Sequence, residues 1–227
     1  MPRRSYDQYC ATARTLDVVG DRWSLLIVRE LTARPLRYTD LNADLPGIST
    51  DMLATRLKDL ERDGVLTRRR LPPPGTASVY ALTDRGRALL PVVEALAEWG
   101  GPLLGDPRPV DAVRAHWFAV PLRGRLAPLA GEESGVVEVR LPEGVFHVWL
   151  GGPERPAYGT GPADAADAVL HADLATLRSL TDGTLGAADA LATGRMTVDG
   201  EGPVAEALRK HAGRPAPAEA VAGIEPA

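Results

Sequence analysis

Two amphipathic helices give the clearest hydrophobic pattern in the chain. Residues 36–45 carry a leucine every four or five positions, which suits a short helix. A stronger stripe follows, because Met52, Leu53, Leu57 and Leu60 recur at three- and four-residue steps, and we expect all four to be buried. Between the two stripes, Pro46-Gly47 removes a backbone donor and supplies a residue that tolerates positive φ. The pattern therefore predicts two short helices joined by a tight turn.

The ends of the second helix and the segment after it complete the motif. Ser49 is a good N-cap, since its hydroxyl can accept from backbone N–H groups of the first turn, and Gly64 suits the left-handed position after the last turn. Residues 65–70 and 78–82 are predicted to be strands, connected through the turn residues 72–75. A helix-turn-helix followed by a β-hairpin wing is typical of a DNA-binding domain.

The polar face of this motif predicts the DNA contacts. Helix-turn-helix proteins insert the N-terminal part of the second helix into the major groove, so residues 49–56 are expected to read bases. The arginines of the first wing strand are expected to contact phosphates. Alternation along the strand places Arg68 and Arg70 on one face and Arg69 on the other, so all three cannot contact DNA equally. The candidate DNA-binding residues are Arg37, Tyr38, Ser49, Thr50, Asp51, Thr55, Arg56, Lys58, Arg68, Arg69, Arg70 and Thr76.

Apolar segments on both sides of the motif predict supporting helices. Residues 16–31 have helical spacing that is interrupted at Gly20, which suggests two helical pieces with Asp21 capping the second. After the wing, Thr83 is expected to cap one helix that runs to Trp99 and bends at an internal proline. The apolar stripe of this helix has no remaining partner in a winged-helix core.

Composition is that of an ordinary globular protein of one or two domains. Hydrophobic residues make up 44% and charged residues 25% of the 227-residue chain. No stretch approaches the ~20 apolar residues of a membrane span, and no N-terminal signal pattern is present. The single cysteine excludes an intramolecular disulfide. We expect a cytoplasmic protein without a membrane partner.

Charge divides unevenly along the chain, whose formal net charge is −4. Residues 1–100 carry 15 basic and 13 acidic side chains, whereas the remaining 127 residues carry 11 basic and 17 acidic ones. The positive balance lies on the half with the helix-turn-helix, as phosphate binding requires. The acidic second half argues against indiscriminate binding of nucleic acid and is compatible with a sequence-specific regulator.

The motifs of the first hundred residues resemble those of a known family. They look like the HxlR-type winged-helix transcriptional regulators, which are relatives of the MarR class. The resemblance implies a homodimeric bacterial regulator in which the apolar stripe of the helix over 83–99 packs against its twofold mate and forms the subunit interface. A dimer also follows because one helix-turn-helix reads few base pairs. We expect a repressor that binds an inverted-repeat operator in double-stranded DNA. The motifs that carry the resemblance are Cys10, LDVVGDRWSLLIVREL (16–31), LPGIS (45–49), RLKDLERDGVL (56–66) and YALTDRG (80–86).

Cys10 has two interpretations. As a packing residue, it would be one more small apolar side chain, since cysteine is commonly buried. As a sensor, it would act as several HxlR-type proteins do, which use a cysteine at the matching position to detect electrophiles or oxidants. Arg14 lies one helical turn away and could lower the pKa of the thiol. This redox function, with a structural second domain, is the main alternative to ligand sensing.

A second domain is predicted after a Gly- and Pro-rich linker. The linker covers residues 101–109, the second domain 110–213, and a tail rich in Ala, Pro and Glu, expected to be disordered, 214–227. The predicted elements of this domain are a helix over 110–120, a hairpin over 137–141 and 146–150 turning at Glu143-Gly144, a strand over 168–172, a helix from Asp173 to Gly183, a helix from Thr184 to Leu191, a strand over 196–198 and a helix over 204–211.

The order of these elements resembles a lipid-binding fold. Residues 166–202, ADAVLHADLATLRSLTDGTLGAADALATGRMTVDGEG, are similar to the C-terminal half of sterol-carrier-protein-type domains. The resemblance implies an α/β sandwich around an apolar tunnel, so the fold class of the chain is α+β. It also implies a small apolar ligand, although the same side chains could fill a solid core instead. The candidate ligand-binding residues are Trp117, Trp149, Leu174, Leu177, Leu180, Leu185, Leu191 and Met196.

The sequence offers little catalytic chemistry. The four histidines share no metal-ligand spacing and have no cysteine partner, and no phosphate loop or nucleophile elbow is present. We expect no cofactor, no metal and no enzyme activity. The leading hypothesis is a DNA-binding regulator that senses a small apolar molecule. A third possibility is a lipid carrier whose helix-turn-helix docks on another protein.

Overall fold

The structure is a computed structural model that describes residues 5–71, 77–151 and 157–212. The predicted wing tip with Thr76 and the predicted tail lie outside these residues. Within the described residues, no helix is long and apolar enough to cross a membrane. The chain folds as mixed α and β structure, with one hydrophobic core in each half.

The N-terminal half is a winged helix. Its elements are α1 (Ala11–Val19), α2 (Ser24–Ala33), β1 (Leu36–Arg37), α3 (Tyr38–Asp44), α4 (Thr50–Arg62), β2 (Leu66–Arg70), β3 (Ser78–Leu82), α5 (Asp84–Arg87) and α6 (Leu90–Gly100). The three strands form a sheet of order β1-β3-β2, antiparallel throughout, which closes one side of the helices.

The predicted helix-turn-helix is confirmed as α3 and α4. The hydroxyl of Ser49 accepts a hydrogen bond from the backbone N–H of Met52 at 3.3 Å, so it caps α4 as expected. Leu53, Leu57 and Leu60 of α4 are at most 1% exposed, and their burial in the core of the N-terminal half fixes the orientation of the polar face. The prediction that Met52 shares this stripe is wrong: it is 42% exposed, because it lies about 100° around the helix from Leu53. The recognition helix therefore owes its position to a local cap and one apolar stripe.

Two predictions about the supporting helices are wrong. Asp21 does not cap α2, whose N-cap is Trp23; Asp21 is instead ion-paired with Arg56 of α4.

Thr83 caps a helix, because its hydroxyl accepts from the N–H of Gly86, but that helix ends at Arg87. The continuous helix to Trp99 is thus two helices. The internal proline does not bend α6 but occupies its first turn, where the missing N–H has no cost.

The C-terminal half is a five-stranded sheet covered by helices. The elements are 3₁₀ turns at Gly101–Leu103 and Ala115–Phe118, then α7 (Ala119–Ala130), β4 (Gly135–Leu141), β5 (Gly144–Leu150), β6 (Tyr158–Thr160), β7 (Ala168–His171), α8 (Leu174–Asp182), α9 (Ala187–Ala192), β8 (Thr197–Asp199) and α10 (Pro203–Arg209). The strand order is β6-β5-β4-β7-β8, with β4 and β7 parallel and the other pairs antiparallel. Helix α7 packs on β5, α8, α9 and α10, so it lies at the centre of this core.

Most of the predicted second-domain elements are present. The hairpin is confirmed, and so is α8, since the carboxylate of Asp173 accepts from the N–H of Thr176 and Gly183 adopts φ +81° at the other end. The helix predicted over 110–120 is wrong, because helical structure begins only at Ala115. Thr184 does not cap α9; the N-cap is Gly186.

The two halves pack directly against each other through α6 and α2. Leu90 and Ala97 on α6 and Ala33 on α2 belong to the core of the second domain. The apolar stripe of α6 therefore serves two surfaces, since Leu96 and Trp99 stay 48% and 74% exposed. Only the exposed part remains available for the predicted subunit interface.

Candidate nucleic-acid interface and interdomain cleft

The N-terminal part of α4 presents a polar surface to solvent. Ser49, Thr50, Asp51, Thr55 and Lys58 are all exposed, as the amphipathic pattern predicted. The hydroxyl of Thr55 donates to the backbone oxygen of Asp51 at 2.8 Å, a bond that it can exchange for one to DNA. Ser49, Thr50, Asp51 and Thr55 lie on the N-terminal half of α4, the half that a recognition helix inserts into the major groove, and Lys58 lies in the C-terminal half.

Arg56 is held more tightly than the sequence indicated. Its guanidinium is ion-paired with Asp21 and with Asp59, the latter at 3.3 Å, and its side chain is only 19% exposed. Its buried Nε has no hydrogen-bond partner within the residues that the structure describes. Arg56 thus fixes α4 against the α1–α2 turn, and it can contact a base only after it leaves Asp21.

The two candidates on α3 flank the recognition helix. The hydroxyl of Tyr38 donates to the backbone oxygen of Thr50 at 2.8 Å, so it ties the start of α3 to the start of α4. Arg37 is exposed at the N-cap of α3, and its backbone N–H donates to Asp40 at 3.1 Å. Tyr38 thereby positions the recognition helix, while the side chain of Arg37 extends into solvent next to it.

The wing arginines follow the predicted alternation. In the antiparallel ladder Arg68 pairs with Tyr80 and Arg70 with Ser78, whereas Arg69 lies opposite the buried Val79. All three arginines are exposed. The guanidinium of Arg68 lies over the ring of Tyr80 at 5.9 Å, which gives it a preferred direction. Thr76, the remaining wing candidate, lies outside the described residues.

Cys10 lies at the surface immediately before α1. It is exposed, and the backbone N–H groups of Ala13 and Thr12 at the start of α1 lower the pKa of its thiol. Arg14 does not supply this effect, since its guanidinium contacts Ser5 and Asp17 instead. A helix N-terminus rather than an arginine therefore favours the thiolate.

Most of the candidate ligand-binding residues fill the core of the second domain. Leu177, Leu180, Leu191 and Met196 are at most 3% exposed and pack together, and Leu185 packs against them. Trp149 lies apart on the sheet, edge-on to His147 with ring centroids 4.7 Å apart. Low exposure places these leucines and Met196 in the core of the second domain, and their role in ligand binding stays a prediction.

A cleft lies between the two domains. It encloses about 910 Å³ and is lined from the N-terminal domain by Pro46-Gly47 of the helix-turn-helix turn and by Val93 of α6. Only Trp117 and Leu174 of the predicted ligand residues face it. The sequence pattern did not indicate a cleft at the boundary between the domains.

A buried polar cluster joins the domains beside this cleft. Glu30 of α2 is 2% exposed, and its carboxylate accepts hydrogen bonds from His116 Nε2 at 2.8 Å and from Trp117 Nε1 at 2.9 Å. Arg29 donates to the same carboxylate at 2.8 Å and stacks over Trp117 at 4.6 Å. Burial alone raises the pKa of Glu30, but the bond from His116 and the charge of Arg29 outweigh it and leave that pKa below its ordinary value.

No sequence pattern indicated this cluster. Glu30 has the spacing of a solvated side chain, and its partners follow 86 and 87 residues later. The one available signal was a glutamate within the strongly apolar run of α2, next to an arginine. The hydroxyl of Tyr158 adds a further bond to the same helix, because it donates to the backbone oxygen of Arg29 at 2.6 Å.

Glu30, Asp44 and His116 also form the group of described residues that could hold a metal ion. One ligand atom from each lies within 4.8 Å of the others. Burial, and then the charge of Glu30, raise the pKa of Asp44. Arg29 and Arg114 already neutralise the two carboxylates, however, with Arg114 Nε 3.8 Å from Asp44. The charges favour an ion-paired contact between domains over a cation site.

The helix-turn-helix, its exposed polar face and the arginine-bearing wing define a winged-helix DNA-binding protein. Residues 18–106 match the family of HxlR-like helix-turn-helix proteins. The chain is 36% identical over 98 residues to YvaP of Bacillus subtilis, an uncharacterized HTH-type transcriptional regulator, and this covers 43% of the chain and 90% of that protein. The chain belongs to the HxlR-like helix-turn-helix family and is a transcriptional regulator that binds DNA.

Further relatives are similar to the same part of the chain. The HTH-type transcriptional regulator YodB of B. subtilis is 37% identical over 82 residues, which is 36% of this chain and 73% of that protein. Among solved structures, the reduced form of YodB aligns at 30% identity over 44% of this chain and 100% of its own, with a TM-score of 0.38. The reduced form of the redox regulator HypR aligns at 31% identity over 40% and 90%, with a TM-score of 0.38. The family match ends at residue 106, before the second domain begins.

Proposed function

We propose that the chain is a homodimeric, sequence-specific repressor whose second domain senses a small molecule. The observation that carries this proposal is the position of the interdomain cleft. Its wall includes Pro46-Gly47, the turn that directly precedes the recognition helix. A molecule bound there contacts both the second domain and the part of the first that sets the direction of α4.

The homodimer is supported by exposed apolar residues around α1 and α6. Tyr9, Leu16, Leu96, Trp99 and Leu103 are between 44% and 106% exposed. An exposed patch of large apolar side chains marks an interaction surface more often than free surface. Two recognition helices held about one DNA turn apart, roughly 34–36 Å, would read an inverted repeat.

Selection of DNA sequences by the full chain tests this function. We expect selected sequences to contain an inverted repeat with half-site centres about 10 base pairs apart. Binding measured by fluorescence anisotropy should show two protomers per site and fall steeply as salt rises. Enrichment of single, unpaired half-sites would contradict the dimer. Equal affinity for all sequences would contradict a sequence-specific repressor.

Thiol sensing through Cys10 is the second candidate function. It is favoured by the exposure of Cys10 and by the lowered pKa of its thiol, which together make the thiolate available to electrophiles. The test compares wild-type protein with Cys10→Ser after treatment with a quinone or diamide. We expect both proteins to bind DNA and only the wild type to be released. Release of both would assign the effect to another group.

A further inference from the structure

The wall of the interdomain cleft is mainly apolar. Val93 and Ala97 on α6 face Trp117, Phe118 and Leu174 of the second domain across it, and the chain between the domains covers one end. Its volume of about 910 Å³ is within the range of roughly 300–1,000 Å³ that small-molecule sites occupy. Apolar walls of this kind bind the hydrocarbon or aromatic body of a ligand.

The charged side chains that line the cleft are nearly all positive. Four arginines face it, whereas Asp111 supplies the one carboxylate among the described residues of its wall. Arg108 is bound to that carboxylate through two nitrogens, with distances of 2.8 and 3.2 Å. Arg29 is bound to Glu30. The other two arginines, Arg22 and Arg178, retain guanidinium donors that no described protein group accepts.

Arg22 and Arg178 reach the cleft from opposite domains. Within the described part of the chain, Arg22 makes no hydrogen bond or ion pair, and its guanidinium lies 5.4 Å from the ring of Trp23. Arg178 pairs through one nitrogen with Asp106, which is 90% exposed, while its buried Nε has no partner there. Guanidinium donors of this kind match a carboxylate, which accepts two parallel hydrogen bonds.

We propose that the interdomain cleft binds an amphipathic organic anion, with its apolar body against Trp117 and Leu174 and its carboxylate on Arg178 or Arg22. This inference rests on the proposed sensing function and names the site and chemical class of the ligand. A neutral ligand would cover the unused arginine donors without satisfying them, which costs free energy. A cationic ligand would meet like charges.

The same position explains how such an anion acts on DNA binding. Gly47 adopts φ +87° in the turn before α4, a backbone conformation that few other residues share. A ligand that fills the cleft presses on this turn and on α6 at Val93. It shifts the recognition helix only as far as it binds one arrangement of the domains more tightly than the other.

The test uses full-length protein and three probes. Anilinonaphthalene sulfonate, an apolar anion with environment-sensitive fluorescence, reports occupancy of the cleft. Dodecanoate and dodecan-1-ol, both below the concentrations at which they aggregate, compete for it. We expect one saturable site per protomer and displacement by dodecanoate at a concentration about tenfold lower than by the alcohol, because only the acid pairs with arginine.

Variants locate the carboxylate. Arg178→Met and Arg22→Met keep the apolar stem and remove the charge, and we expect at least one of them to abolish the preference for the acid. Arg209→Met, on the exposed side of α10, is the matched control and should keep it. Circular dichroism and urea unfolding confirm that each variant is folded. If all variants are folded, and both Arg178→Met and Arg22→Met keep the full preference for dodecanoate over dodecan-1-ol, the proposal is overturned.

Two further outcomes separate this inference from the proposed function. Absence of saturable probe binding, with operator binding intact, overturns the ligand site and leaves the DNA-binding regulator standing. Binding of dodecanoate that prefers the acid but leaves operator affinity unchanged supports the site and contradicts its sensing role. If the wild type binds the acid and the alcohol with equal affinity, the proposal that the ligand is an anion is overturned.

Discussion

Glu30 and His116 form a buried hydrogen bond of 2.8 Å between the two domains. The glutamate lies on α2 of the DNA-binding domain, and the histidine lies on the 3₁₀ turn that opens the second domain. The same carboxylate also accepts from Trp117 and Arg29, so it has a partner on each side of the boundary. The second domain is therefore attached through a desolvated charge and not only through apolar contact.

Removal of this carboxylate should destabilise the whole chain. Glu30→Ala leaves the donors of His116 and Trp117 buried without an acceptor, which typically costs about 3 kcal/mol in the free energy of unfolding. Urea unfolding of the full chain measures the change. The exposed Glu132→Ala is the control and should change the stability by less than about 0.5 kcal/mol. If Glu30→Ala and Glu132→Ala change the stability by equally small amounts, water replaces the carboxylate of Glu30 as the acceptor.

The same group should make stability depend on pH. The pKa of Glu30 is lower in the folded chain than its ordinary value of 4.5, so its stabilising effect is complete above about pH 4.5 and is lost as pH falls through the folded pKa. Asp44 acts in the opposite direction, because its raised pKa means that protonation favours the folded state. We expect Glu30→Gln to lose less stability than the wild type between pH 5 and pH 3, as measured by urea unfolding. If the stability of Glu30→Gln and of the wild type falls in parallel over this pH range, Glu30 is not the group responsible for the pH dependence.

Arg56 should affect both DNA affinity and the position of α4. Arg56→Ala should weaken operator binding by about 1–3 kcal/mol if the guanidinium leaves Asp21 for a base. Asp21→Asn should then strengthen binding, since it frees the guanidinium and removes a negative charge near the phosphates. Fluorescence anisotropy titrations of operator DNA with both variants, and with Arg62→Ala as the control, measure these changes in affinity. A variant Arg56→Ala that is less stable but binds DNA normally would assign Arg56 a structural role alone.

The wing should contribute sequence-independent affinity. Replacement of Arg68, Arg69 and Arg70 by alanine should weaken binding to all sequences alike and reduce the slope of log affinity against log salt by about 1 for each phosphate that the variant no longer neutralises. Since Arg69 shares a face with Val79, single variants should show unequal effects. Arg195→Ala, in the second domain, should leave the slope unchanged. An unaltered slope in the triple variant would show that the wing does not bind phosphates.

The exposed part of α6 should hold the dimer together. Trp99→Glu places a charge in an apolar surface and should raise the dimer dissociation constant by about thirtyfold or more. Sedimentation equilibrium measures it at several protein concentrations. Thr197→Glu, on the exposed β8, serves as the control. Unchanged association of Trp99→Glu would place the subunit interface elsewhere.

The DNA-binding half could be predicted from sequence because its signals are local. Ser49 caps the helix that starts one residue later, and Leu53, Leu57 and Leu60 define its buried side within three turns. The two wing strands are separated by only seven residues in the chain. Each of these features needs only residues that are near one another in the chain, so the pattern was sufficient for the helix-turn-helix.

The contacts between the domains could not be predicted in this way. An apolar stripe such as Leu177 and Leu180 looks the same whether it fills a core or lines a cavity, because periodicity reports only that a side is buried. The role of Glu30 depends on residues 86 and 87 positions later, and the ion pair of Asp21 with Arg56 spans 35 positions. Such partners become visible only when the fold has brought them together.

The shared packing of α6 has a consequence for how the chain can be divided. Cutting it at residue 100 would uncover Leu90, Ala97 and Ala33, all of which now pack against the second domain. The cut would also remove His116 and Trp117, two of the hydrogen-bond donors to the carboxylate of Glu30. The linker that is obvious in the sequence is thus not a place where the chain can be cut without exposing apolar side chains and a buried carboxylate of the winged helix.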